Sequence, residues 1–307
     1  METPPPSASR EWMHPAVDGT RLFVRCSEPA PGSDANREIS GPAGSRGVIL
    51  LTHGMGEHSG RYAHVIRRLN AAGLRVLSWD LRGHGRSEGR RGDIRNYSLL
   101  VDDLREIWSL AQPGPAFLYG HSLGGQITLN FAVRERPDAA GLIITSPWLR
   151  LAFVPSRGKL LMAWLAAHFW PTFTQKTDVS PGRLSRDLDF LMALPDLHLV
   201  HHRMSARMFR ALTAGARSAS RNAIQLPYPI LLVHGSRDPV TSVSATEQLY
   251  QSLRSRDKSL VIVPEALHET HNDVCRNTVL TQIIGWLDAR LPAIPKPAAS
   301  SSSGAIP

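Results

Sequence analysis

Residues 116–135 read AFLYGHSLGGQITLNFAVRE: an apolar run, a glycine-rich turn around one serine, then a stretch with helical spacing. Gly120-His121-Ser122-Leu123-Gly124 fits G-x-S-x-G, whose glycines permit a strained strand-to-helix turn that lifts a serine hydroxyl clear of a sheet. The pentapeptide alone is a weak signal. A strand at 116–119 and a helix at 123–135 supply the structural context that it requires.

Working outward, short runs rich in Val, Ile and Leu recur at 47–52, 74–80, 116–120, 141–146, 229–235 and 260–263. Each reads as a buried strand, and the segments near 61–72, 99–111, 123–135, 244–253 and 274–290 carry apolar residues at helical period. Alternating strands and helices predict an α/β fold, a mostly parallel sheet covered on both faces. The connection at 147–226 is far longer than the few residues most such links need, so it is expected to be an inserted helical cap. The core is then expected at 11–146 and 227–290. Residues 1–10 and 291–307, rich in Pro, Ser and Ala, read as mobile tails.

Composition narrows the classes. With 42% apolar and 20% charged residues, the 307-residue chain is neither collagenous, wholly disordered nor a disulfide scaffold. Cys26 and Cys275 are too few for a disulfide framework or a four-ligand zinc site, which suits a reducing compartment. The net charge of +9 includes only four lysines, and 147–226 holds eleven Lys or Arg against four Asp and no Glu, a local +7. No apolar run approaches the ~20 residues of a membrane span. METPPPSASREW has no secretory core, so the expected location is cytoplasmic, with peripheral membrane contact considered below. Neither G-x-G-x-x-G nor a P-loop occurs, and the arginines lack interleaved stacking aromatics, so no nucleic acid partner is expected.

A serine hydroxyl needs a general base, and that base an orienting carboxylate. In this fold class the chain order is Ser, Asp, His. Asp238 follows the run at 229–235 within Ser236-Arg237-Asp238-Pro239, and His268 follows 260–263 within PEALHETH. His271 competes with His268 but lies beside Asn272-Asp273, which reads as a helix start. His268, Glu269 and His271 lack HExxH spacing, so no metal is expected, and no organic cofactor either. His198, His201 and His202 read as surface or packing residues. The backbone amides of Leu123, after the serine, and of Met55, in the loop Thr52-His53-Gly54-Met55-Gly56, are the expected oxyanion donors.

At these residues the sequence resembles the monoacylglycerol lipase and lysophospholipase branch of the α/β-hydrolases, also labelled serine aminopeptidase-like. Residues 53–62, HGMGEHSGRY, look like that branch's HGxGEHSGRY, and 80–89, DLRGHGRSEG, look like its D-x-x-G-H-G-x-S-E-G. Residues 120–125 match GHSxGG, and Gly235-Ser236-Arg237-Asp238 follows in family order. The resemblance covers roughly 20–290. It implies Ser122, Asp238 and His268 as a triad, Met55 and Leu123 as oxyanion donors, and 147–226 as a cap over a hydrophobic acyl tunnel. The residues around His268, LHETHND, depart from the better-known animal enzymes, so the resemblance does not imply the alcohol group.

Residues 160–170, LLMAWLAAHFW, are apolar nearly all round, so as a helix they must be buried or meet lipid. Leu161, Trp164, Leu165 and Phe169 are the expected substrate contacts there. Together with the local +7, the run suggests a cap drawn to an anionic membrane surface. Arg91-Gly92-Asp93, an adhesion-like tripeptide, reads as an exposed loop. The expected function is hydrolysis of single-chain acyl lipids, monoacylglycerol first, with lysophospholipase or general carboxylesterase as alternatives. A proline-iminopeptidase-type peptidase would need an acidic amine site, and a noncatalytic binding scaffold would usually lack one of the three side chains.

Overall fold

Strands that must be covered on both faces have to be apolar at every position, and that is how the central strands are built. The computed structural model describes residues 9–29, 45–111, 114–153, 158, 165, 168–177 and 179–291. The described chain enters as an antiparallel hairpin, β1 (Ser9–Pro15) and β2 (Arg21–Ser27), turning at Asp18-Gly19. It continues through β3 (Gly47–Thr52), β4 (Leu74–Trp79), β5 (Ala116–His121) and β6 (Gly141–Thr145). Short strands β7 (Thr174–Lys176) and β8 (Arg203–Ser205) pair separately, and β9 (Ile230–Gly235) and β10 (Lys258–Val263) complete the main sheet. Its order is β1-β2-β4-β3-β5-β6-β9-β10, parallel from β4 to β10.

Side chains alternate across this sheet into two cores. Val48, Leu50, Leu118, Leu142 and Leu232 face one side, and Ile49, Leu51, Phe117, Ile143 and Leu231 the other. The first core is closed by α2 (Ser98–Trp108) and α3 (Leu123–Glu135), the second by α1 (Ala63–Ala71) and a C-terminal helix at Arg276–Asp288.

Between β6 and β9 lie α4 (Leu188–Met192) and α5 (Ala206–Asn222), followed after β9 by α6 (Val243–Ser252); the helix at Arg276–Asp288 is α7. Helix α5 is not a detached cap element. Its Met208, Leu212, Ala216 and Ala219 are buried in the first core, and the Gly215 carbonyl accepts from Asn130 Nδ2 of α3 at 2.9 Å.

Three expectations need correction. Ser9 and Arg10 belong to β1, and Leu291 is buried against the second core, so neither end of the described chain starts as a tail where composition suggested. The Arg91-Gly92-Asp93 tripeptide is not an exposed loop. Asp93 is buried and accepts from Ser205 Oγ at 2.6 Å and Arg207 Nε at 2.8 Å, while the Gly92 carbonyl accepts from Ser205 N at 2.7 Å. It is a clamp that fastens the start of α5 to the core.

Candidate active site

Because β3, β5, β6, β9 and β10 run parallel, the loops after them emerge along one edge of the sheet, where open α/β folds hold their ligands. Ser122 leaves β5 there at φ 52° and ψ −113°, a backbone conformation that costs a non-glycine residue about 1–3 kcal/mol. The glycines around it are required by contact. A Cβ on Gly124 would lie 2.2 Å from the Thr52 carbonyl oxygen, and one on Gly54 would lie 3.1 Å from Ser122 Cβ. The loops carrying Met55 and Leu123 are thereby pressed together beside the serine.

Adjacent strands are about 4.8 Å apart, so His268, after β10, must reach back across two strands to meet a residue on β5. The structure secures that return through Ser146, at φ 44° after β6, whose Oγ donates to the His268 carbonyl at 2.7 Å. His268 Nε2 then lies 3.0 Å from Ser122 Oγ, and its Nδ1 lies 2.7 Å from Asp238 Oδ2. A carboxylate only accepts, so Nδ1 carries the proton and Nε2 is left to accept from the serine hydroxyl. The three side chains expected from sequence are brought into one hydrogen-bonded row.

Asp238 is buried, yet its carboxyl is held far below the ordinary range. Burial opposes ionisation, but His268, His234 and their hydrogen bonds override it. Burial likewise would depress His268, and the Asp238 charge outweighs it, so the imidazole pKa is raised. His271 goes elsewhere: its ring stacks on Tyr62 at 4.7 Å and meets His121 edge-on at 4.7 Å, and His121 in turn lies 4.9 Å from His268. Burial keeps both His121 and His271 neutral near pH 7.

Ser122 and His268 open into a cavity of about 790 Å³, within the usual size for small-molecule sites. Leu151, Phe153, Phe173, Val179, Met204 and Phe209 give it an apolar wall. Of the four expected cap contacts, Leu161 and Trp164 lie outside the described residues. Leu165 and Phe169 are not among its described lining residues, and Phe169 points outward at 62% exposure. An all-apolar run shows that a helix needs apolar company without showing which face turns inward. His201 and His202, read from sequence as surface or packing residues, do line the cavity.

This geometry accompanies a match of residues 43–274 to the family model described as serine aminopeptidase, S33. The chain belongs to that family of α/β-hydrolases. Among its relatives, a monoacylglycerol lipase of Mycolicibacterium smegmatis is 32% identical over 80% of this chain and 89% of its own length. The rat monoglyceride lipase is 32% identical over 90% and 89%. An uncharacterised abhydrolase domain-containing protein of Dictyostelium discoideum is 33% identical over 80% of this chain, which spans 26% of that longer protein. The solved monoacylglycerol lipase of Paleococcus ferrophilus superposes with TM-score 0.76 at 27% identity, covering 88% of this chain and 99% of its own. The fold is also that of a soluble variant of the Saccharomyces cerevisiae monoglyceride lipase in complex with a substrate analog, with TM-score 0.80 at 23% identity over 95% and 99%.

One wall of this α/β-hydrolase cavity is charged. Glu57 Oε1 accepts from Gly54 N at 2.5 Å and Tyr62 OH at 2.8 Å, and Glu57 Oε2 from Arg61 Nε at 3.2 Å. Arg61 Nη2 also reaches Glu269 Oε2 at 2.5 Å, which Asn272 Nδ2 joins at 2.6 Å. All three charged side chains are buried. Burial and the neighbouring Glu269 push Glu57 up to about 7, against the pull of Arg61.

Removing one partner from a buried charge group costs about 3–5 kcal/mol, and Arg61→Met is expected to lose that much in chemical denaturation at pH 8. Because Glu57 is raised in the folded protein above its ordinary 4.5, its contribution is full below 4.5 and is lost as pH climbs through about 7. The deficit of Arg61→Met should therefore shrink at pH 5. Equal deficits at both pH values would contradict this account of the network.

Proposed function

We propose that the protein is a serine carboxylester hydrolase, a monoacylglycerol lipase, in which Ser122, His268 and Asp238 carry the chemistry. The observation that carries the reading is the row Ser122 Oγ, His268 Nε2 and Nδ1, Asp238 Oδ2, at 3.0 and 2.7 Å, opening into a cavity with one apolar and one polar wall. The relatives' names support the substrate class.

His268 Nε2 removes the Ser122 proton as Oγ attacks the ester carbonyl. The oxyanion is met by the Met55 and Leu123 amides, pressed together by the glycine contacts at the start of α3. Amides of a helix's first turn lack intrahelical acceptors and face the positive end of its dipole. The imidazolium then gives its proton to the departing glycerol oxygen. Water, activated by the same imidazole, releases the fatty acid and restores Ser122. Every step uses groups of the chain and water, without a cofactor.

The polar wall favours an uncharged head. Glu57 and Glu269 share the one cation Arg61, so this wall offers a lysophospholipid's phosphate no excess positive charge, whereas glycerol hydroxyls can bond to groups of either sign. Both carboxylates are engaged by Arg61, so neither stands ready for the free amine of a peptidase substrate. Residues 147–226 act in this reading as the cap, held over the site by polar clamps: Glu269 N to the Leu184 carbonyl at 2.8 Å, Arg186 to Asp273 at 2.8 Å, and His201 N to the Gly56 carbonyl at 2.8 Å.

A panel of monoacylglycerol, lysophosphatidylcholine and a proline anilide should show monoacylglycerol cleaved with the highest kcat/KM; preference for the anilide would overturn the reading. The rate should fall as pH drops through a midpoint above the ordinary histidine value of 6.5, since His268 is raised. Asp238→Asn should cut kcat by about 10⁴ and lower that midpoint, burial then being opposed only by the charges of Glu269 and Glu57.

The cap also supports contact with an anionic lipid surface. Phe169, Trp170 and Phe173 are exposed, and Thr174, next to Phe173, pairs with Ser205, the cap residue of α5. Exposed Arg210, Arg217 and Arg221 follow along that helix, while Lys176 and Arg203 sit side by side on β7 and β8. Among the described residues no helix is long and apolar enough to cross a membrane. Flotation should recover more protein with phosphatidylserine vesicles than with phosphatidylcholine vesicles, and less at high salt or in Trp170→Ala/Phe173→Ala. Equal recovery on both would remove the proposal.

A further inference from the structure

The Asp238 carboxylate has a second histidine. His234, in β9, stands four residues before Asp238, is fully buried, and places Nε2 2.9 Å from Asp238 Oδ2, the oxygen that also receives His268 Nδ1. The preceding β9 residues, Ile230, Leu231, Leu232 and Val233, are apolar and buried. A buried imidazole in that strand is costly unless both nitrogens are satisfied. They are: Nδ1 lies 2.8 Å from Thr246 Oγ1 of α6, itself buried. Since the carboxylate accepts only, Nε2 carries a proton, and the Thr246 hydroxyl satisfies Nδ1.

The rest of the carboxylate is equally constrained. Oδ1 accepts from Val240 N at 2.7 Å and Thr241 N at 3.0 Å, and Oδ2 also accepts from Thr241 Oγ1 at 2.8 Å. The two backbone bonds fix Oδ1, so rotation of the carboxylate is stopped from that side. His234 fixes Oδ2 from the other side and shares its charge with His268.

We propose that His234 is a positioning residue of the hydrolytic site, which acts through Asp238 to aim Oδ2 at His268 and to set how basic His268 is. This rests on the reading of Ser122, His268 and Asp238 given above. A donor on the shared oxygen competes with His268 for its negative charge. Removing that donor leaves more of the charge to the imidazolium, which then gives up its proton at higher pH. The other titratable groups acting on His268, namely His121, His271, Glu57 and Glu269, lie on other elements and are untouched by a change at 234.

The test follows hydrolysis of a short-chain 4-nitrophenyl ester against pH for the wild type, His234→Leu, His234→Gln and Thr246→Val. His234→Leu should lower kcat by about 10- to 100-fold, the worth of one hydrogen bond to a charged group, with KM little changed. Its acidic limb should move to higher pH. Gln, whose amide reaches as far as Nε2, should restore most of the rate and the limb. Thr246→Val, which frees the ring, should move both in the same direction by less, and it serves if the leucine variant does not fold. In the Asp238→Asn background, His234→Leu should add little, since coupled residues are not additive. A folded His234→Leu with wild-type kcat and limb, equal behaviour of Leu and Gln, or full additivity with Asp238→Asn would each overturn the assignment. A wild type without ester hydrolysis would instead sink the functional reading on which it rests.

Discussion

The negative charge of Asp238, kept ionised in a buried place, is the constraint on which the site depends. Its two oxygens accept from two backbone amides, a threonine hydroxyl and two imidazoles. These donors repay the desolvation that would otherwise protonate it, and they leave one direction in which His268 Nδ1 can point. That direction fixes which ring nitrogen faces Ser122. The strained turn at Ser122 and the glycine contacts between the loops after β3 and β5 then matter because the imidazole has been aimed in advance.

The segment between β6 and β9 is joined to this arrangement by the apolar face of α5 and, around the site, by polar bonds. Asp93 holds the start of α5, Asp273 holds Arg186, and the Gly56 carbonyl holds the His201 amide. Several arginines of the local +7 are therefore structural ties. Among the described residues, exposed Arg210, Arg217 and Arg221 lie along α5, and Lys176 and Arg203 on the small β7–β8 sheet that follows the outward Phe173. Such clamps suit a cover that is anchored at its edges while enclosing an apolar cavity.

The central strands were legible because burial on both faces leaves apolar residues at every position, and the serine, aspartate and histidine each follow one of those runs. Other parts were hidden for physical reasons. The hairpin of β1 and β2 lies at the sheet edge, so its residues mix polar and apolar character, although Asp18-Gly19 was a usable turn signal. Helix α5 buries Gly215, Ala216 and Ala219, whose small side chains carry little hydrophobic signal amid arginines. The Asp93 clamp joins residues 114 apart in sequence, which no local pattern reports. Phe169 shows the converse limit: its run is apolar but for His168, and only the tertiary arrangement decides that it faces outward. His234 was written in the sequence four residues before Asp238, but nothing short of the folded strand shows that its ring turns to the same carboxylate.

The central claim is that Ser122 is made nucleophilic by His268 and Asp238 acting together. Reaction with a fluorophosphonate probe, read by peptide mass spectrometry, tests it most directly. The account predicts a single adduct on Ser122, absent in Ser122→Ala and formed far more slowly in His268→Ala and Asp238→Asn, with His271→Ala reacting nearly as the wild type. Labelling at another residue, or labelling of Ser122 that needs His271 and ignores His268, would contradict it.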